Sequence, residues 1–277
     1  ILFDEATKVC HNHGYTPHNI VFYPEKDTSS LYLGVELETD LYPSVTHTRH
    51  TMRVLKERSN MDRLFWMQHD GSLTQGFELN THPMTLNYHR KEFPWKEVLK
   101  VITENGGCGD RSLTAGLHIH FNKDFLGNQT EADINSLKAI VLFERCWTRL
   151  AQFSRRERHS LNKWAGRYGR RINKSEIRDL EPLRKIHYIK SNIPSRYFAV
   201  NVLNLDTVEI RLFRSTTRLD VLMATLELTD YVARLAKSID MSDVQKITWA
   251  KLTKNISDKD YPCLDEYIKK NIGKGGR

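Results

Sequence analysis

The chain has 277 residues, 39% of them hydrophobic, 10% aromatic and 27% charged, with 14 Gly and 8 Pro. Those proportions exclude a collagen-like, low-complexity or disordered polymer, and a mean hydropathy of −0.55 without any apolar run near 18 residues excludes a membrane span. The net charge of +8 is concentrated: residues 149–190 hold 13 Lys/Arg against 4 Asp/Glu.

In chain order, residues 1–30 read as an irregular N-terminal extension, polar and rich in His and Pro. The rest, 31–277, reads as one domain without repeats or a linker. A strand is expected at 31–39 (LYLGVELET) and a helix at 45–58. Strands follow at 63–69 and 75–82, joined through Asp70-Gly71, a turn pair. A helix over 91–104 should stop at Asn105-Gly106-Gly107. A strand is expected at 115–122 and a long helix at 131–154, carrying Leu137, Ile140, Val141, Phe143 and Trp147 near helical spacing. The basic stretch 155–195 reads as loop or short helix. Strands at 196–204 and 207–214 precede two or three helices over 218–271. The fold class is α+β, an antiparallel-rich sheet with helices on one face.

The strands carry the chemistry. Side chains two apart on a strand share a face. In GVELE, Val35 and Leu37 oppose Glu36 and Glu38; in FELN, Phe77 and Leu79 oppose Glu78 and Asn80. In GLHIHF, Leu117, Ile119 and Phe121 oppose His118 and His120. In TVEIRLF, Val208, Ile210 and Leu212 oppose Glu209 and Arg211. Each pair alone has an ordinary reading, as a solvated outer face or a surface ion pair worth under about 1 kcal/mol. Together with Asp70, they offer several carboxylates and imidazoles to one polar face. That is a donor set for hard divalent cations, Mg²⁺ or Mn²⁺.

These segments also make the chain recognisable. GVELE (34–38), HDGSL (69–73) with FELNTHP (77–83), GLHIHF (116–121), and RYFAVN (196–201) with TVEIRLFRST (207–216) stand in an order and spacing that resembles the amidoligase family. These are carboxylate–amine ligases related to glutamine synthetase and glutamate–cysteine ligase. The resemblance implies a curved antiparallel sheet forming a trough for ATP and two metal ions. Carried over position by position, it gives Glu36, His118 and Glu209 to the metal nearer the nucleotide phosphates. It gives Glu38, Asp70 and Glu78 to the metal nearer the acceptor carboxylate. Arg211 would meet the transferred phosphoryl group, and His120 and Arg196 would contact ATP phosphates. Asp70 is one carbon shorter than the Glu often found in related ligases, which suits a water-mediated contact. Asp206 and Ser215 stand where Gly is common, a difference that affects a loop more than the chemistry. A bacterial or phage setting follows from the resemblance alone.

The implied reaction is amide or isopeptide formation between a carboxylate and an amine, each on a small molecule or a peptide, through an acyl phosphate. Charge spreads over the γ-phosphoryl oxygens in the first step, so positioned cations and an arginine clamp suit it. Arg155, Arg156, Arg158, Arg167, Arg170 and Arg171 would ring the mouth of the trough. Two other classes stay open from the residues: a nucleic-acid-binding protein using 149–190, and a metal-dependent hydrolase using the same carboxylates and histidines. No P-loop, GxGxxG or nucleophile elbow is present.

Smaller features remain. Cys10, His11, His13 and His18 resemble part of a zinc module, but a closed site usually takes four ligands, and only one Cys is here. The Gly106–Asp110 loop reads as a cover over the site or an exposed turn. Trp164 to Tyr168 reads as packing or as a base-stacking element. Four widely spaced cysteines without CxxC, and an opening stretch charged too early for a secretory leader, give a cytoplasmic expectation.

Overall fold

A computed structural model describes residues 10–41, 45–57, 63–73, 76–109, 112 and 114–273. Helices and an antiparallel sheet make up the chain, as an α+β class requires. The chain forms two compact units, the first from residues 1–26, 32–118 and 214–222, the second from 27–31, 119–213 and 223–277.

The first unit is built on β1 (Leu33–Leu41), flanked by β3 (Gly76–Thr81) and, beyond it, β2 (Phe65–Gln68). Its helices are α1 (Val45–Glu57), α2 (Leu86–Lys91) and α3 (Trp95–Glu104). The apolar positions of the alternating strands, Val35, Leu37, Phe77 and Leu79, are buried with Val98, Leu99 and Ile102 of α3. β1 and β3 run antiparallel, with Glu38 opposite Glu78, Glu36 opposite Asn80 and Asp40 opposite Gly76. Gly76 has to be glycine: a Cβ there would lie 1.9 Å from the Thr39 carbonyl oxygen. His89 of α2, fully buried, fixes the start of β1. Its Nε2–H donates to the Leu33 carbonyl at 3.0 Å, and Trp95 Nε1–H donates to its Nδ1 at 3.3 Å.

Two expectations change here. The helix expected over 91–104 begins only at Trp95, because Pro94 lacks an N–H and keeps Phe93 out of helical geometry, and a separate short helix, α2, ends at Lys91. The glycine-rich loop is neither a lid nor an exposed turn at its start. Gly107–Cys108 forms a short strand, β4, pairing with Asp40 and Leu41, and Cys108 is buried. The expected helix stop holds, with Gly106 at φ +83 just beyond α3. Asp110 lies outside the described residues.

Strand β5 (Gly116–Asn122) begins in the first unit and ends in the second. The second unit continues with α4 (Gln129–Arg145), α5 (Trp147–Ser154), α6 (Arg158–Trp164), α7 (Lys174–Ile177) and α8 (Pro182–Asn192). Next come β6 (Val200–Asn201) and β7 (Thr207–Arg214), with Asn201 opposite Glu209. Four helices close the chain: α9 (Leu219–Ser238), α10 (Met241–Val244), α11 (Trp249–Thr253) and α12 (Pro262–Asn271). Val208, Ile210 and Leu212 of β7 are fully buried, with Leu142, Leu150, Leu226 and Leu264 also in the core.

The helix expected over 131–154 starts earlier and breaks at Cys146. Asn128 caps it, accepting from Thr130 and Glu131 N–H at 3.1 Å, and Glu131 accepts in return from Asn128 N–H at 2.9 Å. The strand expected over 196–204 shrinks to two residues. Tyr197 and Ala199 instead exchange backbone hydrogen bonds with Gly166, at 2.9 and 3.0 Å, and Asn201 turns the chain by accepting from Leu203 N–H. Among the described residues no helix is long and apolar enough to cross a membrane.

Candidate active site

The polar alternate positions of β1, β3 and the N-terminal half of β5 meet in the first unit. Register places Gln68, Glu78 and Glu38 side by side across three strands, because directly opposed residues share a face. Glu38 and Glu78 are buried, and Glu36 is half-buried. Carboxylate oxygens of Glu38, Asp70 and Glu78 lie within 4.8 Å of one another. His118 Nδ1 is 3.1 Å from Glu36 Oε2, and its Nε2 is 3.8 Å from Glu38 Oε1.

The surroundings fix these groups. Gln68 Nε2–H and Asn80 Nδ2–H both donate to Glu78 Oε1 at 2.7 Å. Gly116 N–H donates to Glu38 Oε2 at 2.5 Å. Asp40, on the same alternation as Glu36 and Glu38, is buried and accepts from Ser112 Oγ at 2.5 Å and Thr114 Oγ1 at 3.2 Å. That anchors the loop that delivers the Gly116 N–H. Burial pushes the Glu78 carboxyl up to about 8, with Glu36, Glu38 and Asp70 adding repulsion against the pull of Asn80. Asp70 is also raised by burial, but the Ser72 hydroxyl and N–H and the nearby His13 outweigh it and hold its carboxyl low. Three crowded oxygen donors, one of them inclined to keep a proton, form a set that a hard divalent cation fits.

The N-terminal segment contributes differently from a zinc module. Cys10 is buried, and burial pushes its thiol up to about 12, far from a metal-binding thiolate. His11 stacks on Tyr15 at 3.6 Å, and its backbone pairs with Met67 and His69. His13 Nδ1 stands 3.9 Å from Asp70 Oδ2.

The second unit groups His120, Glu209 and Arg211. Glu209 is buried and accepts from the Arg211 guanidinium, from Asn201 Nδ2–H at 2.8 Å and from Asn204 Nδ2–H at 3.5 Å. His120 Nε2 is 3.9 Å from Glu209 Oε1, and its Nδ1 lies 3.1 Å from Thr207 Oγ1. The 201–206 turn is held by Lys123, whose buried ammonium donates to the carbonyls of Val202 and Asn204. Arg196 is exposed and reaches neither Glu209 nor Arg211 by a direct bond among the contacts described; its guanidinium lies over the Tyr197 ring at 5.3 Å. Arg211 lies over the same ring at 5.8 Å.

Of the arginines expected at a trough mouth, two serve the fold. Arg156 is buried and donates to the Phe213 carbonyl at 2.9 Å. Arg167 donates to the Glu144 carboxylate at 3.1 Å and to the Glu144 carbonyl at 3.0 Å. Arg158, Arg170 and Arg171 are exposed. Sequence reading passed over Asp40, Gln68, Asn201 and Asn204. Asp40 had a visible signal, since it continues the polar alternation of Glu36 and Glu38, whereas Asn201 shares its strand face with Tyr197 and Ala199 and had none.

A family model described as "Putative amidoligase enzyme" matches residues 25–233. The chain belongs to the amidoligase family. No curated protein matches it. The match covers every strand that carries the two groups of polar residues, and it makes the chain a member of a ligase family. It ends before α10, α11 and α12, and it leaves out His13.

Proposed function

We propose that this amidoligase-family chain joins a carboxylate to an amine by ATP-dependent phosphorylation of the carboxylate. The observation that carries the reading is the Glu38–Asp70–Glu78 group, three carboxylates with oxygens within 4.8 Å of one another, Glu38 and Glu78 buried on adjacent strands and Asp70 half-buried in the turn after β2. Burial, with added repulsion from Glu36, Glu38 and Asp70, raises Glu78, and a bound cation would relieve both penalties. The family resemblance assigns Glu36, His118 and Glu209 to a second ion. Bound Mg²⁺ or Mn²⁺ would offset phosphate charge and polarise the γ-phosphoryl group.

The chain's own residues supply the rest. Glu38, Asp70 and Glu78 orient the acceptor side, with Gln68, Asn80 and the Gly116 N–H holding the carboxylates in place. Arg211, now on Glu209, is the clamp for the transferring phosphoryl oxygens, and His120 and Arg196 take further phosphate contacts. The acceptor carboxylate oxygen attacks the γ-phosphorus, ADP leaves, and the amine then displaces phosphate from the acyl phosphate. Phosphate is a good leaving group where hydroxide is a poor one, so this order opens the route to the amide, and cleavage of ATP to ADP and phosphate makes the net reaction downhill. The sheet is read as the glutamine synthetase-like trough and the location as cytoplasmic, both from the resemblance and the cysteine pattern. The nucleic-acid alternative loses support because Arg156 and Arg167 are engaged inside the second unit.

The test is calorimetry of ATP with and without Mg²⁺, followed by ADP release on screening carboxylates and amines in pairs. Metal-dependent ATP binding, and ADP release that needs both partners, are expected. Equal ATP affinity without metal, or turnover without ATP, would refute the reading.

A further inference from the structure

We propose that Trp164 and Tyr197 form the subsite for the purine ring of the nucleoside triphosphate, beside the arginine that meets its phosphates. The proposal rests on the ATP-dependent reading above and adds where the base sits.

The backbone puts these residues in line. Gly166 N–H donates to the Tyr197 carbonyl, Ala199 N–H donates to the Gly166 carbonyl, and Arg211 N–H donates to the Ala199 carbonyl, at 2.9, 3.0 and 2.9 Å. The end of α6, the 197–199 stretch and β7 therefore lie side by side, within the second unit. Trp164 meets Tyr197 edge to face, with ring centroids 5.4 Å apart. The Tyr197 ring in turn lies 5.8 Å from the Arg211 guanidinium. A continuous path runs from the indole to the arginine beside Glu209.

The rings are half-buried, and exposed cations cover them. Arg196 lies over Tyr197 at 5.3 Å, and Lys163 over Trp164 at 4.4 Å. A planar guanidinium on an aromatic face occupies the position a purine takes when it stacks. Both cations sit on long, exposed arms, so a ligand can displace them without opening the core. Once displaced, they remain within reach of its phosphates. The next aromatic pair on the same stretch differs in burial: Phe198 and Tyr168 stack at 3.9 Å and are both buried, although Arg171 lies over Phe198 at 5.5 Å. The Trp164–Tyr197 pair combines half-buried rings, exposed cations over both of them, and a Tyr197 ring 5.8 Å from the Arg211 guanidinium. Base-on-aromatic stacking tolerates different bases, so the subsite favours a purine ring without reading its edges.

Calorimetry with Mg²⁺ plus ATP and with Mg²⁺ plus inorganic tripolyphosphate separates base from phosphate. The wild type should bind ATP about tenfold more tightly than tripolyphosphate, or better. Tyr197→Leu and Trp164→Leu should lose most of that gap while holding tripolyphosphate affinity within about twofold. Arg196→Ala should weaken both ligands. Should a leucine variant fail to fold, indole emission gives a second measure: ATP quenches it, tripolyphosphate does not, and the quench falls away in Trp164→Phe, which keeps a ring. Equal affinity for ATP and tripolyphosphate, or unchanged ATP affinity in both leucine variants, overturns this subsite and leaves the ligase reading standing. Absence of any ATP binding overturns both.

Discussion

Glu78 in the first unit and Glu209 in the second are both buried strand carboxylates, yet their neighbours differ in sign. Glu78 faces Glu38, Asp70 and Glu36 and is steadied by two neutral amides. Glu209 has a guanidinium on one oxygen and two amides on the other. A buried carboxylate costs several kcal/mol in order of magnitude unless a cation or hydrogen bonds compensate it. The second unit carries its own compensation, in the Arg211 side chain. The first unit gathers its anions beside neutral amides and the imidazoles of His118 and His13, and on the proposed reading a bound cation supplies the rest. The same residue type thus stands in two settings, one neutralised by a guanidinium and one that suits a cation.

The sharpest way to break this comparison is at Arg211. Arg211→Ala should cut ADP release by about 10²–10³, the cost of losing one preorganised electrostatic donor. Mn²⁺ binding at the Glu38–Asp70–Glu78 group, read by electron paramagnetic resonance, should stay near wild type. Arg211→Lys should recover activity only in part, because a point charge cannot make bidentate contacts. If Arg211→Ala keeps full turnover, the guanidinium serves only the charge of Glu209, and the clamp is withdrawn.

At the first unit the expected effect is on the cation itself. Glu78→Gln preserves shape but removes one anionic donor, and Mn²⁺ affinity should fall by roughly 10–100-fold, the range seen when metal-site partners are altered. Melting without metal should be unchanged or raised, since a buried like-charge contact is relieved. A variant that binds Mn²⁺ as well as wild type would show that Glu78 is held as a neutral acid and is no ligand. A smaller effect is expected from Asn201→Ala in the second unit. It removes one of two amides on Glu209, and ADP release should drop about threefold to tenfold with ATP affinity less affected. No change would mean that Arg211 alone holds Glu209.

The contrast between the units was partly legible in the residues. Period-2 alternation exposes a shared face directly, so Glu36, Glu38, Glu78, His118, His120, Glu209 and Arg211 could be assigned to faces from spacing alone. Register could not: that Glu38 stands opposite Glu78, and Asn201 opposite Glu209, depends on strand pairing set by turns and packing. Nor could the inward turn of Arg156 and Arg167, since a charged run looks the same whether its arms reach water or a carbonyl. The break at Pro94 was visible in principle, because proline forbids the preceding turn of helix. The break at Cys146 has no comparable local signal. The strand at Gly107–Cys108 was hidden because two residues carry no period.

The last prediction asks whether the first unit, carrying the crowded anions, is also the more acid-sensitive one. His89 holds the start of β1 as a neutral imidazole, and burial lowers its pKa from 6.5 to about 4, against a small opposing pull from the Leu33 carbonyl. Above pH 6.5 the ring is neutral in both folded and unfolded chains, and its contribution is complete. As pH falls from 6.5 towards 4, the unfolded chain takes up a proton that the folded chain refuses, so stability is lost through that window and the loss levels off below it. At pH 5.5 the loss amounts to about 1 kcal/mol, from one unit of differential protonation. His89→Gln keeps a donor for the Leu33 carbonyl and cannot titrate, so its stability should change less than that of wild type between pH 7 and 5.5. Hydrogen exchange should show the same ordering in space, with amides of β1 and β3 opening before those of β7 as the pH falls. If β7 opens first, or His89→Gln loses stability in parallel with wild type, acid sensitivity comes from the carboxylates alone, and the pinning of β1 by His89 contributes nothing to it.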